Sequence, residues 1–326
     1  MIETSLFHPV ASAADLGDKP LAAHLLGVDI VLWRDSRGEV HAFADQCPHR
    51  GAALSMGRVK GDLLECAYHG WEFEGGGHCV AIPAVPAFKP PAEHRACAYS
   101  ARVAYGLVWV ALQADAKGAV PAFEAEDDTR LRKFNCGPYE VATSAPRIVE
   151  NFLDMSHFGF VHEGWLGSRD ATAMEPYKVQ TTPTGFLATE CRAWQPQASL
   201  NAQGGSMIEY TYEVNAPYTC VLTKIPEQQG DGCRDAIALF VCPLEPERSR
   251  VWIRMAQTDF ESSDEQLQGF QNTIFGQDQP VLESQRPRRL PIGTTGPVTE
   301  LHSAADRSSS AYRRYLREQG ITFGVC

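Results

Sequence analysis

Between residues 30 and 112 the chain alternates short apolar runs, at 30–33, 40–44, 63–67 and 107–112, with clusters of Gly, Pro and Asp. Runs this short, bounded by turn formers, predict the strands of a small all-β unit. The pattern then changes. Residues 148–162 carry Phe152, Met155 and Val161 at helical spacing, and strand-like segments recur near 186–194, 207–214, 218–225, 236–242 and 251–258. Two further stretches read as helices: 262–285, almost free of Gly and Pro until Pro280, and 304–319, rich in Arg, Tyr and Leu. The pattern predicts an all-β N-terminal domain over residues 1–115, a connector over 116–134 and an α+β domain over 135–326. The connector contains Pro121 and the acidic string Glu124, Glu126, Asp127 and Asp128, which reads as a solvated loop.

Composition narrows the partners. The 326 residues suit two domains, and 44% hydrophobic with 21% charged residues is ordinary for a globular chain. A formal charge of -11 argues against nucleic acid and against an anionic membrane surface. The arginines at 286, 288 and 289 and at 313, 314 and 317 read as solvated faces. No stretch approaches a membrane span, and the start has no basic, apolar leader. Ten cysteines in such a chain point to reduced thiols or metal ligands, and to the cytoplasm.

The sharpest chemical signal is Cys47-Pro48-His49 followed by Cys66-Ala67-Tyr68-His69. Each Cys-His pair can occupy its own loop, so one iron can take both thiolates and a second iron both imidazoles. Zinc also accepts two Cys and two His, but its spacings normally pair like with like. Pro48, Gly51 and Gly70 permit tight loops whose N–H groups approach the sulfurs, and residues 82–86 suit a third, covering loop. These residues closely resemble the motif of the Rieske family. The resemblance implies a [2Fe-2S] cluster held by Cys47, His49, Cys66 and His69, and electrons drawn from a separate NAD(P)H-dependent reductase or ferredoxin. The other cysteines read mostly as small core residues.

About ninety residues later comes Asn151-Phe152-Leu153-Asp154-Met155-Ser156-His157, then His162. Two imidazoles and a carboxylate suit Fe(II) with positions left open for O2 and substrate. Residues five apart on an α-helix lie about 140° from each other, so His157 and His162 can share an ion only if the helix ends or bulges between them. Gly159 is the expected weak point. The segment resembles the iron site of the Rieske oxygenases, which implies a mononuclear Fe(II) on His157, His162 and a distant carboxylate. Asp278 fills that place, with Glu283 as the fallback. The same resemblance makes Asn151 a near neighbour of the iron. It also has Asp154 bridge His157 to His69 of the next subunit in a head-to-tail homotrimer.

The tail, residues 300–316, is similar to the vanillate demethylase and toluenesulfonate monooxygenase branch. The resemblance there implies a helix-grip-like catalytic domain and an oxygenase that hydroxylates or demethylates a small aromatic or polycyclic molecule with O2. A cis-dihydroxylating dioxygenase and a Rieske electron carrier are the alternatives. Phe158, Asn215, Phe240, Trp252 and Phe270 are placed to line a pocket, although each also suits a core.

Overall fold

A computed structural model describes residues 1–197, 199–201, 204–226, 234–293 and 300–326. Cys233 lies outside the described residues. The chain divides into two compact units, Met1–Val120 and Pro121–Cys326.

In the first unit, β1 (His8–Ser12), β2 (Leu21–Leu25), β3 (Val28–Arg34) and β4 (Val40–Ala44) join β9 (Ala98–Ala104) and β10 (Leu107–Ala111) in a six-stranded sheet. Its order is β1-β10-β9-β4-β3-β2, and every pairing is antiparallel. A smaller meander of β5 (Arg58–Lys60), β6 (Leu63–Glu65), β7 (Glu72–Glu74) and β8 (Cys79–Ala81) packs beside it. Val31, Trp33, Phe43, Leu54, Leu64 and Phe73 are fully buried between them, together with Cys47 and Cys66. Both Cys-His pairs leave the ends of strands rooted in that core, which holds the two loops rigid.

The second unit is built on a seven-stranded antiparallel sheet. Its strands are β11 (Arg132–Val141), β12 (Lys178–Thr181), β13 (Phe186–Gln195), β14 (Ser206–Ala216), β15 (Thr219–Pro226), β16 (Asp235–Glu245) and β17 (Arg248–Gln257), ordered β11-β17-β16-β15-β14-β13-β12. Helices α1 (Ala145–Leu153), α2 (Phe158–Val161), α3 (Asp264–Ser284) and α4 (Arg307–Glu318) complete it. The architecture is α+β, an all-β unit followed by a sheet that grips helices.

Local chemistry sets the start of α3. The Ser263 hydroxyl accepts from the Gln266 amide at 3.2 Å, and Gln266 Oε1 accepts from the Ser263 amide at 2.9 Å. This capping box satisfies two of the helix's orphan donors. Asp264 and Glu265 in the first turn add a favourable dipole interaction. The cap holds the long helix that carries Asp278.

Two expectations change. The segment expected as a connector is structured from its middle onward. Phe123 is buried, Glu126 accepts a bidentate pair of bonds from Arg254 of β17 at 2.9 and 2.6 Å, and β11 begins at Arg132. Arg313 is not solvated either, being only 8% exposed. It bonds Glu150 of α1 at 2.6 and 2.8 Å and Glu300 at 2.5 Å, while Arg147 of α1 also reaches Glu300. Two cations and two carboxylates thus neutralise each other at the back of α1, which is the condition under which buried charge is tolerated. No described helix is long and apolar enough to cross a membrane.

Candidate active site

The two Cys-His loops share one hydrogen-bond plan. The Cys47 amide donates to Ala52 O at 2.8 Å and the Gly51 amide to Cys47 O at 2.9 Å; the Cys66 amide donates to Trp71 O at 2.9 Å and the Gly70 amide to Cys66 O at 3.0 Å. Each turn closes on a glycine in the left-handed region, Gly51 at φ 74° and Gly70 at φ 69°, where a side chain would be strained. A Cβ on Gly70 would also lie 3.0 Å from Pro83 Cγ, so Pro83, within residues 82–86, packs against the second loop.

The donor chemistry of this pair of loops fits a two-iron cluster. Burial, reinforced by the neighbouring Cys66 thiol, pushes Cys47 up to about 11, while backbone N–H groups of His49 and Arg50 aimed at its sulfur pull the other way. The His49 and His69 rings stand 4.5 Å apart, and His49 stacks on Trp71 at 4.6 Å. Burial, His69 and Arg50 all hold His49 below the ordinary histidine value, which favours the neutral imidazole. Its Nδ1 is buried with no hydrogen-bond partner, an unfavourable arrangement unless something uses the lone pair. The four donor atoms do not gather within 4.8 Å of one another, as those of His157, His162 and Asp278 do. One tetrahedral zinc would require that gathering.

In the second unit the expected helix is interrupted. The first helix stops at Leu153, residues 154–157 turn, and α2 is a single turn between the two histidines. His162 leaves that turn at φ -110°, ψ 33°, so the helix ends between the histidines and their rings come within 5.0 Å.

Gly159 is not the weak point, because it sits inside α2. It is a glycine for closeness of approach: a Cβ there would lie 2.8 Å from Ser168 O and 3.1 Å from Thr172 Cγ2. Gly159→Ala is therefore expected to destabilise the unit by about 1–3 kcal/mol through overpacking, and to lower its thermal midpoint. An unchanged midpoint would show that the loop yields freely.

Asp278 arrives from α3. Its Oδ1 lies 3.4 Å from His157 Nε2 and 3.3 Å from His162 Nε2. The far nitrogen of each ring is occupied: His157 Nδ1 is 3.2 Å from Asp154 Oδ2, and His162 Nδ1 is 2.8 Å from Gln277 Oε1. Both acceptors call for an Nδ1–H tautomer, which leaves both Nε2 lone pairs facing Asp278. Asn151 donates from Nδ2 to Asp278 Oδ1 at 3.3 Å. The three groups thus converge as a two-histidine, one-carboxylate set suited to Fe(II). Glu283 turns elsewhere, accepting from the Ala142 amide and Gln279.

Asp154 ends α1, and its Oδ1 also accepts from the Ser156 amide and hydroxyl. Burial opposes ionisation there, but His157 and Ser156 outweigh it and hold the carboxyl below its ordinary value. For His162 burial opposes the cation, yet Asp278 and Gln277 raise its pKa above the ordinary 6.5. A proton on His162 must leave before a metal binds. Apparent Fe(II) affinity of the metal-free site should therefore hold above that raised pKa and fall about tenfold per pH unit below it. Anaerobic titrations at several pH values would test this, a flat profile contradicting it.

These three groups lie at a cavity of about 890 Å³. Ile148, Phe152, Leu166 and Ile274 line it together with Leu222, Ile237, Leu239, Ile253 and Met255 of the sheet. Of the pocket candidates, Phe158 and Phe270 line it. The other three do not. Phe240 pairs in register with Trp252, both in the core, while their neighbours Leu239 and Ile253 face the cavity. Asn215 instead donates to Ala122 O. Strand alternation places adjacent residues on opposite faces, and local sequence does not say which face is inside. Gln277 carries no pattern of its own; its only sequence signal is that it adjoins Asp278.

A model of the Rieske [2Fe-2S] domain matches residues 7–97, and one of the vanillate O-demethylase oxygenase C-terminal domain matches residues 141–319. The chain belongs to the Rieske non-haem iron oxygenases. It is 38% identical over 225 residues to a probable methylxanthine N7-demethylase of Pseudomonas sp. (strain TJI-51), covering 68% of this chain and 77% of the relative. Over 325 residues it is 30% identical to a methylxanthine N1-demethylase of Pseudomonas putida, covering 96% and 88%. The structure of Pseudomonas putida CBB5 NdmA with caffeine superposes with a TM-score of 0.83 at 28% identity, over 97% of this chain and 90% of that one. As a Rieske oxygenase the protein carries a Rieske cluster and a mononuclear iron. It uses O2 and electrons from a separate reductase or ferredoxin to hydroxylate or oxidatively demethylate a small organic substrate.

Proposed function

We propose that this Rieske oxygenase removes a methyl group from nitrogen of a flat, uncharged heterocycle, with His157, His162 and Asp278 holding the iron and Cys47, His49, Cys66 and His69 the cluster. The observation that carries the reading is the convergence of the two Nε2 atoms and Asp278 Oδ1 at a large cavity. When bound, the cluster supplies electrons one at a time and the iron supplies oxygen activation. The chain supplies position. Apolar walls exclude water and orient a planar body, and Asn151 steadies the Asp278 carboxylate. Hydroxylation of an N-methyl carbon leaves a group that collapses to formaldehyde and the demethylated nitrogen.

Charge favours a neutral substrate over a methoxybenzoate. The cavity's described lining carries one lysine, Lys224, which stands in register with Asp235, and two more carboxylates, Asp259 and Glu261, line the same space. A substrate carboxylate would meet no uncompensated cation among these residues. Two bacterial N-demethylases among the relatives point the same way.

The assembly we favour is a cytoplasmic head-to-tail homotrimer in which Asp154 links His157 to the exposed His69 ring of a neighbouring copy. The Asp154 side chain is 29% exposed while still bonded to His157, so it can reach outward. The test is a panel of N-methylated heterocycles and methoxybenzoates offered to the enzyme with a reductase and O2, monitored for formaldehyde and demethylated product. Formaldehyde from the neutral heterocycles supports the reading. Turnover of the benzoates alone, or a cis-diol product, overturns it.

A further inference from the structure

The two histidines are backed by different chemistry. His157, with a side chain 14% exposed, has the Asp154 carboxylate at 3.2 Å from Nδ1. His162, only 2% exposed, has the neutral amide of Gln277 at 2.8 Å. Gln277 directly precedes Asp278 on α3, so one helical segment delivers both the acceptor behind the His162 ring and the carboxylate in front of it.

That carboxylate creates a problem for the ring. Asp278 Oδ1 lies 3.3 Å from His162 Nε2, close enough to attract a proton onto Nε2. A ring in the Nε2–H tautomer has its donor lone pair on the wrong nitrogen for a metal placed between His162 and Asp278. An oxygen at Nδ1 tips the choice, because an Nδ1–H bonded to Gln277 leaves Nε2 unprotonated. An amide does this without placing a second carboxylate beside a nearly inaccessible ring, where an unpaired charge is costly.

We infer that Gln277 is a positioning residue for the iron ligand His162: its Oε1 selects the tautomer and fixes the ring plane so that Nε2 is presented to the ion. This rests on the reading that His157, His162 and Asp278 hold the iron. Acceptors of this kind on a ligand histidine are worth about 10–100-fold in metal affinity.

The test uses full-length protein with its cluster retained and the mononuclear site stripped. Co(II) is titrated anaerobically, followed by its visible d–d bands, and then displaced with Fe(II). Gln277→Met, nearly the same size but with no oxygen, should weaken Co(II) and Fe(II) binding about 10–100-fold with the cluster spectrum unchanged. Gln277→Glu keeps an oxygen at the same place and should bind at least as tightly as the parent. Parent-like binding by Gln277→Met overturns the inference. So does Gln277→Glu binding as weakly as Gln277→Met, since the side chain would then act by shape alone. If Gln277→Met loses its cluster or does not fold, Gln277→Glu decides alone, and weaker binding than the parent overturns the proposal. A parent protein that takes up no metal at this site would refute the underlying iron assignment instead.

Discussion

Asp278→Ala should abolish turnover while leaving the visible [2Fe-2S] spectrum intact, and iron content should fall from about three to about two per chain. The carboxylate oxygen stands within 3.4 Å of both the His157 and the His162 Nε2 atoms, and it is the anionic member of the proposed set. Without it the two imidazoles remain with no carboxylate beside their Nε2 atoms to balance a divalent cation. Asp278 is 8% exposed and lies on a helix whose cap is some four turns away, so the helix itself should survive. Asp278→Asn separates shape from charge: it keeps the side chain's outline but not its charge, and is expected to bind iron poorly too. Either variant retaining both the third iron and activity would remove Asp278 from the ligand set.

Asp154→Asn should slow turnover about 100-fold with all the iron still in place. An asparagine oxygen can continue to accept from Ser156, so the turn after α1 is kept. What disappears is the negative charge against His157 Nδ1. If Asp154 also completes the path to His69 of another copy, the defect should appear as slow reoxidation of the reduced cluster in a single turnover with substrate and O2. Reoxidation at the parent rate, with the loss confined to a later step, would limit Asp154 to orienting His157.

Much of this site is legible in the order of residues because metal chemistry leaves little freedom in residue type. Only thiolates and imidazoles suit the cluster's outer positions, and each pair must fit on one tight loop, so Cys47-x-His49 and Cys66-x-x-His69 stand out over a few residues. Asp154, His157 and His162 are similarly local. Asp278 is reachable only through likeness to a family, since it lies more than a hundred positions from the histidines it joins.

The interruption at residues 154–157 is harder to read. Helical spacing of Phe152, Met155 and Val161 is real, but nothing in it weighs the pull of Ser156 and His157 on the Asp154 side chain, which forms once α1 has ended at Leu153. Gly159 shows the same gap in another form. Its sequence suggests a flexible point, whereas its neighbours across the chain, Ser168 and Thr172, make it a point of close contact.

The linear chain already dictates the two metal chemistries, the succession of an all-β unit and an α+β unit, and the helix that delivers Asp278. These follow from short-range rules: ligand type, loop length, strand and helix periods. Packing in three dimensions settles the rest: which face of β16 and β17 lines the cavity, which acceptor stands behind His162, and that Arg313 is buried against Glu150 and Glu300 rather than solvated. Those outcomes depend on which distant segments are brought together. A side chain's neighbours, and with them its charge state and tautomer, are set by contacts that no local window of sequence contains.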